Sequence, residues 1–157
     1  MEKKLPPNHE HIDSEMIKLE VNLDNMSGEW LGYVMDLLFD AGANDVYYTP
    51  IYMKKNRPAV LLQLLCAKGK LDKMKAILFS ETTTLGLRYY PLSVHRLERT
   101  FTEVITKWGK ITVKEGVFEG ESVQKSPEYE DCRRIAEENG IPLKKVYEEV
   151  WKEINQR

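Results

Sequence analysis

The stretch Ala59–Cys66 most constrains what this chain can become. Leu61, Leu62, Leu64 and Leu65 place apolar side chains on both faces of an extended segment, and such a strand belongs in the middle of a sheet. A second strand, Asp45–Met53, precedes it across a bend, Lys54-Lys55-Asn56-Arg57-Pro58. A strand, a basic loop and a strand in succession put three cations within four residues at one end of a sheet, where a rigid scaffold holds loops in place. Lys54, Lys55 and Arg57 repel one another unless an anion joins them. A solvated turn accounts for the same cations. Tyr47, Tyr48, Tyr52 and Met53 favour the anion reading, because they add amphipathic walls beside the charge.

The flanking segments supply partners for that strand. Ile17, Leu19, Val21 and Leu23 alternate with Lys18, Glu20 and Asn22, which predicts a half-buried strand over Met16–Leu23. Asp24-Asn25-Met26-Ser27 closes it, and Ser27 is an N-cap for a helix to about Ala41 with Trp30, Val34, Leu37, Leu38 and Ala41 on its apolar stripe. Gly42 stands where a C′ glycine belongs. Leu71, Met74, Ile77 and Leu78 predict a second helix to about Ser80. The β-branched Thr82-Thr83-Thr84 ends it, and Gly86 turns the chain into a fourth strand from Leu87 towards Leu97. The order βαββαβ predicts an α+β, ferredoxin-like half over residues 16–98. Another α+β arrangement with the strands ordered differently is the alternative.

Residues 99–157 form a smaller half of β-hairpin and two helices. Thr100–Thr106 and Ile111–Val117 flank a hairpin turn at Lys107-Trp108-Gly109-Lys110. A short strand runs through Val123. Ser126-Pro127 then resembles an N-cap followed by an N1 proline, opening a helix with Tyr129, Cys132, Ile135 and Ala136 on its apolar side and Asn139-Gly140 as its stop. Pro142 starts a last helix whose stripe is Leu143, Val146, Tyr147, Val150, Trp151 and Ile154. That stripe suits core packing first and a protein partner second. Residues 1–15 are polar and proline-bearing, and are expected to be a flexible tail, disordered or loosely docked.

Composition excludes several classes. The net charge is −2, so sequence-independent nucleic-acid binding is disfavoured. No apolar run has membrane-spanning length and no signal segment opens the chain, so a cytoplasmic protein with no membrane partner is expected. Cys66 and Cys132 have no CxxC partner and read as buried free thiols. His9 and His11 could bind a transition metal, but a tail lacks the supporting hydrogen bonds that make such sites tight.

No nucleophile–base set, GxSxG, HExxH, Walker A or GxGxxG is present, and no catalytic acid or base is identified. His95 sits among Arg96 and Arg99 and suits a surface position. Glu128, Glu130 and Asp131 complement a helix dipole. The cations converge better: Lys54, Lys55 and Arg57 on one loop, Arg88 at the fourth strand, and Lys125 before a helix whose first N–H groups, near Ser126, face anions. These suit a polyphosphate with Asp24 or a helix-start carboxylate holding its metal, although for Asp24 the residues alone favour turn chemistry.

Four ordered motifs carry a resemblance. Glu20-Val21-Asn22-Leu23-Asp24-Asn25-Met26-Ser27 is similar to a family pattern E-T-N-I-D-D-M-S. Tyr48–Pro58, Glu81–Tyr90 and Pro127–Cys132 also match. Together they resemble the C-terminal domain of the LarC family, over about Met16–Trp151. The resemblance implies a CTP-dependent cyclometallase of the lyase class. It inserts nickel, its substrate metal, into pyridinium-3,5-bisthiocarboxylic acid mononucleotide for lactate racemase maturation. It further implies CTP bound with a divalent metal, manganese or magnesium, and a homo-oligomer. Asn25 departs from the second acidic position, which weakens a metal role for that turn. The histidine-rich N-terminal domain of the family has no counterpart here, so a LarC-like N-terminal partner is expected to supply the nickel ligands, without which this chain is expected to be inactive. On these grounds Lys54, Lys55, Arg57, Arg88, Lys125 and Ser126 are expected to hold nucleotide phosphates, with Asp24 on the metal. A non-catalytic, oligomeric nucleotide- or effector-sensing module and a subunit scaffold are the alternatives.

Overall fold

The computed structural model describes residues 9–156. The chain divides into two compact units, Ile12–Val94 and His95 onward, the latter joined by the described residues before Ile12. The first eight residues of the expected tail lie outside the described part.

The first unit has the βαββαβ order: β1 (His11–Leu23), α1 (Gly28–Asp40), β2 (Asp45–Met53), β3 (Arg57–Ala67), α2 (Leu71–Glu81) and β4 (Arg88–Arg96). The strands lie in the order β2-β3-β1-β4, so β3 is central as its two apolar faces require. It runs antiparallel to both neighbours, with Val21 opposite Leu62 and Tyr48 opposite Leu62 on the other side. The parity of this register decides the core. Leu19, Val21, Leu62, Leu64 and Cys66 are fully buried, with Val34, Leu38, Met74 and Leu78 of the two helices in the same cluster. Glu20, Asn22, Leu61 and Gln63 have the opposite parity and form the other face.

Two expectations about this unit change. β1 begins at His11, five residues before Met16; its polar start hides the alternation, and a backbone ladder needs no apolar side chain. Trp30 is 41% exposed, and Leu31 is buried instead. Leu31, Val34 and Leu38 recur at i, i+3 and i+7, so the indole one position earlier falls off that stripe. Ser27 caps α1 as expected, its Oγ accepting the Trp30 N–H at 3.2 Å.

The second unit pairs β5 (Glu98–Thr106), β6 (Gly109–Phe118) and β7 (Glu121–Pro127) in that order, followed by α3 (Tyr129–Asn139) and α4 (Leu143–Asn155). Thr106 pairs with Gly109 across a two-residue turn. Val104, Ile111, Val113, Cys132, Ile135, Val146 and Val150 form its core. Gly140 terminates α3 with φ 61°, the left-handed conformation glycine reaches freely. The helix start differs from expectation. Ser126 pairs with Lys114 and Pro127 with Val113, both as strand residues, and the Glu128 N–H continues the ladder to Thr112 O at 2.8 Å. Proline ends a strand as readily as it opens a helix, and the long β6 provides its partner. Tyr129 and Trp151, expected on apolar stripes, are 51% and 40% exposed. Both cysteines are free and buried, and burial raises their thiol pKa above the ordinary value. No described helix is long and apolar enough to cross a membrane.

Candidate nucleotide site

The end of the four-stranded sheet where β1 stops is built from three of the four motifs. β1 lies between β3 and β4, so its last residues are flanked from both sides. From the β3 side, Arg57 Nη1 donates to Asp24 Oδ2 at 3.3 Å. From the β4 side, Arg88 Nε donates to Glu20 Oε2 at 2.8 Å and its Nη2 to Asn22 Oδ1 at 3.1 Å. Behind them, Thr83 Oγ1 donates to Asn25 Oδ1. The threonine run that ends α2 is thereby tied to the turn that opens α1. Thr82 Oγ1 donates to Leu78 O at 2.6 Å and accepts the Thr84 N–H at 3.3 Å, which folds the run into a compact stop.

The β2–β3 connection is a single 3-10 turn, Lys54–Asn56. Lys55 and Asn56 have φ of 62° and 55°, a left-handed conformation that disfavours side chains other than glycine. Tight closure of the turn holds Lys54, Lys55 and Arg57 at one corner. Among the described residues no carboxylate pairs with Lys54 or Lys55. A cleft of about 230 Å³ opens beside it, lined by Leu23, Asp24, Met26, Pro58, Ala59 and Val60.

Glu20 organises the adjoining face. Its side chain is 13% exposed and accepts from Gln63 Nε2 at 3.1 Å and Tyr90 OH at 3.1 Å as well as from Arg88. Burial pushes this carboxyl up, but the hydrogen bonds from Arg88, Gln63 and Tyr90 outweigh it and hold it below the ordinary glutamate value. Gln63 in turn accepts from Thr49 Oγ1 at 3.2 Å. On the helix side, Tyr48 OH donates to Leu31 O at 2.6 Å and fastens β2 to α1, and burial raises that phenol to about 12.

The structure thus brings Asp24 and Arg57 together, with Lys54 and Lys55 on the Arg57 turn and Arg88 on the far side of β1. Lys125 and Ser126 belong to the other unit and to strand β7, so no helix N-terminus stands at Ser126. Lys125 faces Glu115 at 3.5 Å. Ser126 lines a cavity with Arg96, Leu97, Arg99, Lys114, Gly116 and Gln124. The sequence reading missed Glu20, Asn22 and Thr83 as partners. Their signal was present: Glu20 and Asn22 have the parity of Asp24, and a threonine run opposite that turn offers hydroxyls.

His95 Nε2 donates to Glu10 Oε1 at 2.9 Å, and Glu10 also accepts the Glu119 N–H at 3.3 Å. His11 Nδ1 donates to the His9 carbonyl at 2.7 Å. Among the described residues, no three His, Cys, Asp or Glu side chains gather as a metal cluster.

Known proteins resemble the chain along almost its whole length. A pyridinium-3,5-bisthiocarboxylic acid mononucleotide nickel insertion protein of Acetivibrio thermocellus is 52% identical over 145 residues, covering 92% of this chain and 35% of that protein. The protein of the same name from Thermotoga petrophila is 46% identical, covering 89% of this chain and 35% of its own length. The chain therefore spans about a third of the curated relatives it matches. Among solved structures, the LarC C-terminal domain superposes with a TM-score of 0.87 at 38% identity. It is described as part of a cyclometallase in the synthesis of the NPN cofactor of lactate racemase, and the match covers 92% of this chain and 99% of that one. A protein of Methanopyrus kandleri follows at TM-score 0.64 and 27% identity, over 86% and 85% of the two chains. The nickel insertion protein family matches residues 5–147, and the chain belongs to that family.

Proposed function

We propose that this chain is a CTP-binding module that takes part in nickel insertion into pyridinium-3,5-bisthiocarboxylic acid mononucleotide. One observation carries the reading. Arg57 pairs with Asp24 at the end of β1 beside the Lys54-Lys55 turn, and Arg88, from a separate motif, binds Asn22 on the other side of the same strand end. Guanidinium and ammonium groups at one end of a sheet suit a triphosphate. A divalent ion fits such a site when phosphate oxygens and water complete its shell, because magnesium-type ions need only one or two protein carboxylates. Asp24 would be that carboxylate, released from Arg57 as the guanidinium turns to phosphate. The ion would neutralise phosphate charge there, and this chain's residues would bind and orient the nucleotide.

Nickel is the substrate metal in this reading. Imidazole-rich sites suit it, whereas His95 is engaged by Glu10 and His11 by a backbone carbonyl. A LarC-like N-terminal domain would supply the nickel ligands and the bed for the organic precursor. A homo-oligomer agrees with the exposed edge strand β2, whose Tyr52 is 79% exposed.

Calorimetry of the purified chain with CTP, ATP, GTP and UTP, each with and without manganese, tests the module. CTP binding that strengthens with manganese is expected; indifference to every nucleotide would sink the reading. Reconstitution of lactate racemase activation with and without the histidine-rich N-terminal domain tests the division of labour. Full activation by this chain alone would overturn it.

A further inference from the structure

A second cationic concavity lies within the other unit. A cavity of about 280 Å³ opens on the face of the three-stranded sheet turned away from α3 and α4. Arg96, Arg99 and Lys114 contribute three cations to its wall, Gln124 and Ser126 contribute an amide and a hydroxyl, and no carboxylate lines it. The register sets this up. Arg99, Gly116 and Gln124 lie in one row across β5, β6 and β7, and Lys114 and Ser126 in the next row on the same face. Gly116 forms the floor: a Cβ there would already stand 3.4 Å from Leu97 Cδ1, so a longer side chain would enter the cavity. The register then slips between Gly116 and Val117, a bulge that bends β7.

Arg99 is half-buried and has no ion-pair partner among the described residues. Lys114 has one, Glu128 at 3.4 Å, in a surface pair with both side chains about 40% exposed. Such pairs hold their partners weakly and yield them readily. Partial burial of Arg99 beside the Lys114 ammonium is unfavourable, and an anion in the cavity reduces that penalty. A guanidinium fork, an ammonium, a hydroxyl and an amide converging on a small cavity match the oxygens of a phosphoryl group better than a single carboxylate.

We propose that this cavity is a phosphate subsite which takes a phosphoryl group of a nucleotide, with Arg99 as its principal ligand and Lys114, Gln124 and Ser126 beside it. That the phosphate belongs to a nucleotide rests on the function proposed above; the cationic cavity does not. A nucleoside triphosphate and the pyridinium mononucleotide both present this chemistry.

Calorimetry of the full chain with CTP–magnesium, sodium tripolyphosphate, nicotinic acid mononucleotide and inorganic phosphate, in separate arms, tests the subsite. At least one probe is expected to bind, more weakly as sodium chloride rises. Arg99→Glu should weaken that arm at least tenfold and Arg99→Lys less. The arm that responds names the source: tripolyphosphate and CTP for a triphosphate, the mononucleotide for the substrate. Gly116→Val fills the cavity without changing charge and should give the same loss, so it serves if Arg99→Glu fails to fold. Wild-type affinity for every probe in a folded Arg99→Glu or Gly116→Val chain would overturn the subsite, as would absence of binding by all four probes at millimolar concentration. Loss of CTP binding in Arg57→Ala with Arg99→Glu unaffected in every arm also overturns it and leaves the sheet-end site standing. The converse keeps the subsite and removes the sheet end.

Discussion

Arg57 Nη1 stands 3.3 Å from Asp24 Oδ2, joining the residue expected on phosphate to the residue expected on metal. Their side chains are 54% and 26% exposed. A pair this open contributes only about 0–1 kcal/mol to folding. Asp24→Ala and Arg57→Ala are therefore expected to leave thermal unfolding almost unchanged. Arg57→Ala should nevertheless weaken CTP–metal binding by about 1–3 kcal/mol, the range for a lost charged hydrogen bond. Melting curves and calorimetry on the same samples separate the two roles. A large fall in melting temperature with unchanged affinity would make the pair structural.

Glu20 behaves differently because it is nearly buried and serves Arg88, Gln63 and Tyr90 at once. Glu20→Ala leaves three donors without their acceptor and should cost about 1–3 kcal/mol of stability. The pH dependence follows from the lowered carboxyl. The group's contribution is complete above the ordinary glutamate range and is lost as pH falls through its depressed folded value. Denaturant unfolding of wild type and Glu20→Gln should thus differ most at neutral pH and converge in acid. A constant difference across that range would show that Glu20 acts through packing alone.

How far these sites were legible in the sequence depends on which interaction sets each one. Leu19, Val21, Leu62 and Leu64 alternate or cluster in ways that only a sheet core satisfies, so the βαββαβ order and the central place of β3 were readable. The Asp24–Arg57 contact was not, because it depends on register: Leu23 opposite Val60 brings the end of β1 to the start of β3, and periodicity does not number a register. Ser126-Pro127 misled because a serine before proline serves a strand end or a helix start equally well. The length of β6 and its pairing from Val113 to Phe118 decided between them. Arg99 and Lys114 stand far apart in the sequence, and only adjacent rows of the three-stranded sheet bring them together.

Asp131 shows what took the place of the expected helix start. Its Oδ2 accepts the Thr112 N–H at 2.8 Å, and its Oδ1 accepts from Arg134 at 3.4 Å. The Thr112 hydrogen bond first, and Arg134 after it, hold this carboxyl below the ordinary aspartate value. The bond ties α3 to β6 within the second unit. Asp131→Ala should destabilise the protein by about 1–3 kcal/mol at neutral pH. Because the folded value is lowered, that stabilisation is present above the ordinary aspartate range and disappears as pH falls through the folded value. Urea unfolding of the two proteins from neutral pH into acid should therefore show converging midpoints. Equal midpoints at neutral pH would show that water replaces the carboxylate at no cost.

Lys55 offers a test that separates strain from charge at the proposed triphosphate corner. Its φ of 62° places an L side chain in the left-handed region, at a cost of about 1–2 kcal/mol relative to a right-handed conformation. Glycine has no such penalty, but it gives the unfolded chain more freedom, which returns about 0.5–1 kcal/mol. Lys55→Gly should therefore be neutral or stabilising by up to about 1.5 kcal/mol. The same change removes an ammonium that no described carboxylate engages. Its loss should weaken CTP–metal binding and flatten the salt dependence of that binding, because one fewer cation contributes to a screened attraction. Asn56→Gly is the control, since it relieves a φ of 55° on the same turn without changing charge. Melting temperature and CTP affinity measured together give the answer: a more stable Lys55→Gly chain with weakened, less salt-sensitive binding marks a residue kept for its charge. Undiminished affinity in Lys55→Gly would leave Lys55 outside the site and assign the phosphates to Lys54, Arg57 and Arg88 alone.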